Sequence, residues 1–180
     1  MSAGRPILVT GSHRSGTTWC GRVLCSASSA HYIHEPFNLY HPPGICPVRF
    51  KRWFQHVGSH NASEYERALS YPINLQFAVG AQIRASVRGR PQNVGTGLQG
   101  IRWGLENWLE WSRARFAGYR PLLKDPIALF SAEWIADCFD VDVVVLIRHP
   151  AAVVHSIRRA GWEHDFTSFL DQPALMDTLL

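Results

Sequence analysis

The chain has no long apolar run. No stretch approaches the length needed to cross a bilayer, and the N-terminus carries no apolar leader segment, so the protein as given is expected to be soluble. Cysteine is scarce, and Cys20, Cys25, Cys46 and Cys138 form neither a CxxC pair nor the density of a disulfide scaffold. That argues against a cystine-stapled secreted module and against a thiolate metal site, and it favours a reducing, cytoplasmic compartment. Lysine is nearly missing, because of 18 basic residues only Lys51 and Lys124 are lysines. Internal repeats and low-complexity segments are also absent, which excludes a solenoid or a tail-like chain. What remains is a length of 180 residues with 46% hydrophobic and 18% charged residues, enough for one globular domain over residues 1–180. The net charge of +4, carried by arginines spread along the chain, favours an anionic ligand rather than a nucleic-acid tract.

One scarcity is placed where it matters. Residues 11–19 read Gly-Ser-His-Arg-Ser-Gly-Thr-Thr-Trp, after the apolar run Ile7-Leu8-Val9 and before a predicted helix from Cys20 to Ser26. Gly11 and Gly16 keep the spacing of a nucleotide-triphosphatase loop, but Thr17 stands where that loop has its lysine. Arg14 is the cation within the loop. Backbone amides from Ser12 to Thr17, with the dipole of the following helix, can cradle a phosphate, and Thr17 and Thr18 can add hydroxyls. A glycine turn between strand and helix with no ligand is the plain alternative, and the strand–loop–helix context favours binding.

The rest of the chain reads as alternating strands and helices. Pro6–Thr10 is a buried strand, His31–Glu35 a weaker one, and Pro121–Lys124 a short one ended by Asp125-Pro126. Val141–Ile147 is the clearest strand, leading into Arg148-His149-Pro150 and a helix over Ala151–Arg159. Residues 36–60, rich in proline, read mostly as loop. Ala62–Val87 reads as helix interrupted near Pro72, Ser86–Gly100 as a glycine-bearing loop, and Trp103–Phe116 and Ile127–Cys138 as helices. Such alternation predicts an α/β fold with helices on both faces of a central parallel sheet, and ligands bind such sheets at the carboxyl ends of the strands. The loop at Gly11, Glu35, Lys124 and Arg148 all fall at those ends, so the fold would converge them on one crevice.

The chemistry of that crevice can be narrowed. A kinase would need a strand-end aspartate for magnesium, because several phosphate charges must be neutralised during transfer. The strongest strand runs into Arg148 instead. Sulfuryl transfer moves a group of lower charge, so fixed cations and hydrogen-bond donors suffice, and no metal is expected. With these residues in view, the chain resembles the sulfotransferases that use 3′-phosphoadenosine 5′-phosphosulfate (PAPS). The resemblance rests on Arg14-Ser15-Gly16-Thr17-Thr18, on Arg148 with Ser156, and on Lys124-Asp125-Pro126, which is similar to a motif of tyrosylprotein and related bacterial sulfotransferases. It implies a P-loop-like three-layer α/β/α fold in which Arg14, Ser15, Gly16, Thr17, Thr18 and Trp19 hold the phosphosulfate end of PAPS. Arg148 and Ser156 would hold its 3′-phosphate. A strand-end arginine and a hydroxyl two turns into the next helix could approach one phosphate, although alone such a pair is usually a solvated face.

For catalysis, His34-Glu35-Pro36-Phe37 is similar to the segment carrying the base of glycan and tyrosylprotein sulfotransferases. Glu35 is therefore the candidate base for a hydroxyl-bearing acceptor, with capping or pairing to an arginine as its structural alternative. His34 is the runner-up, although strand alternation predicts that it points away from Glu35. Lys124 and Arg14 would stabilise transfer, and the alternative for Lys124 is a salt bridge to Asp125 or another carboxylate. Asp125 is expected to orient its turn. His31, His149 and His155 read as surface or packing residues. Trp53, Trp103, Trp108 and Trp111 could form an acceptor platform or stack on adenine, but core packing suits most of them better. A divergent nucleotide-dependent kinase and a noncatalytic nucleotide-binding protein are the rival readings. Related sulfotransferases commonly continue past the helix after Arg148, so the resemblance implies either a compact member or a C-terminally incomplete one.

Overall fold

A computed structural model describes residues 4–89, 97–163 and 167–179. Four strands form one all-parallel sheet: β1 (Ile7–Gly11), β2 (Ala30–His34), β3 (Arg120–Lys124) and β4 (Asp142–Leu146), in the order β2-β3-β1-β4. The register pairs Ile7 with Leu122 and Asp142, and Ile33 with Leu123. The helices are α1 (Thr17–Ala27), α2 (Ala62–Ile73), α3 (Val79–Val87), α4 (Gly97–Phe116), α5 (Ala132–Phe139), α6 (Pro150–Arg159), α7 (Thr167–Leu170) and α8 (Pro173–Leu179). Among the described residues, no helix is long and apolar enough to cross a membrane.

Strand alternation sorts the core into two layers. Ile7, Val9 and Leu122 point to the face covered by Cys20, Leu24 and Cys25 of α1. Leu8, Ile33 and Leu123 point to the other face, where Leu69 of α2, Ile127, Ile135 of α5 and Trp111 of α4 form the larger cluster. The result is an α/β fold with helices on both faces, consistent with three α/β/α layers. Residues 36–60 hold no strand or helix, as expected, yet they supply Phe37, Cys46, Phe50, Phe54 and Val57 to the core. Phe37 stacks on Phe50 at 4.0 Å between ring centroids, and Phe50 stacks on Tyr65 at 5.0 Å.

Several boundaries differ from the sequence reading. The helical segment Ala62–Val87 is interrupted near Pro72 as expected, and the break falls just after it: Pro72 lies inside the last turn of α2, and α3 begins at Val79. A proline in a final turn forfeits one backbone bond, and the chain turns just after it, at Leu75 with φ 50°. The expected loop over Ser86–Gly100 overlaps helix at both ends, since α3 reaches Val87 and α4 begins at Gly97; its residues 90–96 lie outside the described residues. Within α4, a Cβ on Gly104 would come within 2.8 Å of the Gln82 side chain on α3, so glycine there lets the two helices pack closely. The segment Ile127–Cys138 starts as a 3₁₀ turn, Pro126–Ser131, before α5. Finally, the strand read most clearly from the sequence, β4, lies at the sheet edge, and its Val144 and Val145 are exposed.

Candidate functional site

The β1–α1 turn is shaped by backbone rather than by side chains. Gly11 has φ 143°, and a Cβ there would lie 2.3 Å from the Leu146 carbonyl of the neighbouring strand, so only glycine lets β1 end beside β4. Gly16, with φ 100°, stands at the start of α1, and no side chain caps that helix. The first-turn amides therefore lack a side-chain acceptor and point into the turn. Thr17 is buried, Thr18 and Trp19 are exposed, and the Ser15 hydroxyl is buried without a hydrogen-bond partner. A buried hydroxyl left unpaired at a helix N-terminus suits an anion site.

Glu35 and Lys124 lie at the carboxyl ends of the neighbouring strands β2 and β3 and are joined twice. The Glu35 amide donates to the Lys124 carbonyl at 2.9 Å, and the Lys124 ammonium pairs with Oε1 of Glu35. Lys124 is 2% exposed, so this charge is almost wholly inside the protein. Oε2 of Glu35 accepts from the Asn38 side-chain amide at 2.9 Å. Burial pushes the Glu35 carboxyl upward, but the hydrogen bonds from Lys124 and Asn38 and the nearby positive charge outweigh it and hold the group below its ordinary value. Glu35 is thus ionised at neutral pH. Its φ of 44° is left-handed, as is that of Arg14 at 63°, so two of the three expected catalytic residues occupy strained backbone.

His34 does not point away from Glu35. Its Nε2 lies 3.7 Å from Oε2 of Glu35, because β2 ends at His34 and strand alternation stops there. Burial and the Lys124 charge lower the His34 pKa, leaving the imidazole neutral at pH 7. Asp125 is completely buried. Its two oxygens accept from the amides of Phe37 at 2.6 Å and Ile127 at 3.0 Å, which matches its expected orienting role. Burial pushes its pKa up to about 7.

The third group is built on Arg14. Its Nε donates to Oγ of Ser156 at 3.0 Å, and its carbonyl accepts from Nη1 of Arg148 at 2.7 Å. Arg148 and Ser156 are thus brought together through Arg14 rather than by direct contact. Trp162, which carried no signal in the sequence, lies with its ring centroid 5.2 Å from the Arg14 guanidinium carbon.

A cavity of about 950 Å³ unites these groups. Arg14, Gly16, Thr17, Thr18, Trp19, Glu35, Lys124 and Arg148 line it; Ser156 is tied to this lining through Arg14, and the Ser15 hydroxyl is buried in the turn. His13, Arg22, Asn38, Trp53 and Trp162 are lining residues that the sequence did not single out for this site, Trp53 having been read chiefly as packing. Only Asn38 had a local signal, a polar residue one turn after Glu35-Pro36. Among the other expected packing residues, Trp111 is buried, Trp108 is 43% exposed, His31 packs edge-on against Trp111, and His149 caps α6. The cavity therefore combines amide donors and arginines suited to a multiply charged anion with an ionised carboxylate beside a buried ammonium. Comparison with protein-family models, curated proteins and solved structures finds no match to any of them.

Proposed function

We propose that the chain is a P-loop-type sulfotransferase that moves a sulfuryl group from PAPS to an acceptor hydroxyl. The observation carrying this reading is the Lys124–Glu35–Asn38 cluster at the mouth of the Gly11–Thr17 loop. In this reading the loop amides, Ser15, Thr17 and Thr18 hold the 5′-phosphosulfate, Trp19 lies along the nucleotide, and Arg148 with Ser156 receives the 3′-phosphate. The acceptor oxygen forms a bond to sulfur as the bond from sulfur to the bridging phosphate oxygen breaks. Glu35 takes the acceptor's proton. The electron pair left on the phosphate oxygen is stabilised by Lys124, Arg14 and the loop amides. A carboxylate offers about four lone-pair sites, so contacts to Lys124 and Asn38 leave room for that proton. Lys124 serves both partners, keeping Glu35 ionised before transfer and neutralising the leaving group during it.

The kinase alternative is disfavoured by Asp125. It stands at the end of β3 as a magnesium-holding aspartate could, yet it is buried and both its oxygens are bonded to backbone amides. Titration calorimetry separates the readings. The product nucleotide 3′-phosphoadenosine 5′-phosphate is expected to bind at least about tenfold tighter than ATP, with labelled donor giving sulfated acceptor from a hydroxyl panel. Equal binding of ATP, with magnesium-dependent turnover, would overturn the proposal.

A further inference from the structure

Arg22 lines the cavity of the proposed transfer site yet takes no part in the transfer described above. It is carried by α1, in the second turn of that helix. Its placement follows from the residue before it. A Cβ on Gly21 would come within 3.1 Å of the Tyr32 ring and 3.4 Å of the Lys124 side chain, so glycine lets α1 lie close over β2 and β3. Arg22 is thereby brought to the β2 edge of the sheet, and its charge is felt there. It opposes the rise that burial imposes on the Tyr32 pKa, and it adds to burial and the Lys124 charge in lowering that of His34. Tyr32 and His34 project from one face of β2, with ring centroids 6.3 Å apart.

The sheet order sets Arg22 apart from the donor. Arg148 follows β4, at the edge opposite β2, and three strand spacings amount to roughly 14 Å. The two arginines therefore mark opposite ends of the cavity, Arg148 beside the proposed 3′-phosphate and Arg22 beside Glu35. At the Glu35 end, Lys124 pairs with the carboxylate. Among the described residues, no ion pair, side-chain hydrogen bond or ring contact takes up the Arg22 guanidinium. Glu163, the other carboxylate lining the cavity, follows Trp162 on the Arg14 side. Two cations, Lys124 and Arg22, thus face one carboxylate, Glu35, which leaves one positive charge unbalanced where an acceptor would enter. An exposed arginine is ordinarily a solvated surface charge, but this one stands in the wall of a cavity next to the candidate base. Resting on the sulfuryl-transfer reading, we infer that Arg22 selects the acceptor: the hydroxyl that Glu35 deprotonates belongs to a molecule that also carries a singly charged oxyanion, a carboxylate or a sulfate ester, gripped by the planar guanidinium fork. Such a group restores neutrality at the Glu35 end and holds the hydroxyl in line for attack.

The test is a nuclear magnetic resonance titration of the labelled full chain, with and without 3′-phosphoadenosine 5′-phosphate, read at the His34 ring. The probes are methyl glucuronide, methyl glucoside 6-sulfate and the neutral amide of the glucuronide, with 4-hydroxyphenylacetate and its amide as a second pair. An anion is expected to bind at least tenfold tighter than its amide, less so at high salt, and Arg22→Gln should bring the two affinities together. The tighter of the two sugar anions names the group as carboxylate or sulfate ester. Equal binding of anion and amide on both scaffolds, or a preference that survives Arg22→Gln, would overturn the inference. So would a tenfold loss of nucleotide affinity in Arg22→Gln, which would place the residue on the donor. Failure of the sulfuryl-transfer reading has a separate signature, the absence of any preference for 3′-phosphoadenosine 5′-phosphate over ATP in the unaltered chain.

Discussion

The two halves of the proposed transfer site are built in opposite ways. Around Glu35, Lys124 and Asp125, charges are buried, doubly bonded and tied to strand ends. Around Arg14, Arg148 and Trp162, the side chains lie at the surface, joined by a cation–π contact and single hydrogen bonds. The first half gives geometry that cannot relax without cost, as a proton transfer and a leaving group require. The second gives charge that can adapt to an arriving anion and that salt will screen. Position on the sheet explains the contrast. Lys124 ends β3, which has a neighbouring strand on each side, whereas Arg148 follows β4 at the edge.

The largest effect should come from Lys124→Met, which leaves Glu35 ionised and largely buried with its charge partner removed. A loss of about 3 kcal/mol in urea unfolding is expected, together with a fall in transfer of at least about 100-fold. Lys124→Met/Glu35→Gln should recover most of the stability and none of the activity. If the double variant were as unstable as the single one, the ion pair would not be what makes this half rigid.

Glu35→Gln alone should slow transfer by roughly 100-fold or more while leaving nucleotide affinity unchanged, and His34→Gln should have the smaller effect. The same residue sets a pH dependence. Because its folded pKa lies below its ordinary 4.5, Glu35 contributes stability that is fully present above pH 4.5 and lost as pH falls through the folded value. Denaturation of wild type and Glu35→Gln along an acid series should therefore converge below pH 4.5. A gap that widened on acidification would mean that the carboxyl is protonated in the native state.

In the exposed half the effects should be smaller and salt-dependent. Arg148→Gln is expected to weaken 3′-phosphoadenosine 5′-phosphate roughly tenfold at low salt, less at high salt, and to leave binding of the analogue lacking the 3′-phosphate unchanged. A salt-independent loss would place Arg148 with the rigid half. Trp162→Ala removes one exposed cation–π contact, about 0.5–1 kcal/mol, and should change nucleotide affinity roughly two- to fivefold by calorimetry.

The architecture was largely readable because its signals are local. Ile7-Leu8-Val9 before Gly11, the proline after Glu35 and the Asp125-Pro126 stop each mark a strand end within a few residues, and the structure places all three there. The early start of α4 was not readable, because Gly97 and Gly100 fall in its first turn and glycine is a poor local helix former. The aromatic stack through Phe37, Phe50 and Tyr65 was hidden for a similar reason, since a segment without periodicity gives no hint of which side chains it buries.

The sequence by itself determined that a glycine turn with Thr17 after its second glycine follows the first strand, and that Glu35, Lys124 and Arg148 lie at or just after the ends of strands. Residue type and short-range backbone preference are enough for that. Only the tertiary structure decided that Lys124 is buried against Glu35, that His34 lies beside Glu35, and that Arg14 contacts both Arg148 and Ser156. Those pairings cross 89 residues between Glu35 and Lys124 and 142 between Arg14 and Ser156. They depend on strand order and on the left-handed turns at Glu35 and Arg14, neither of which has a local pattern that the chain could display.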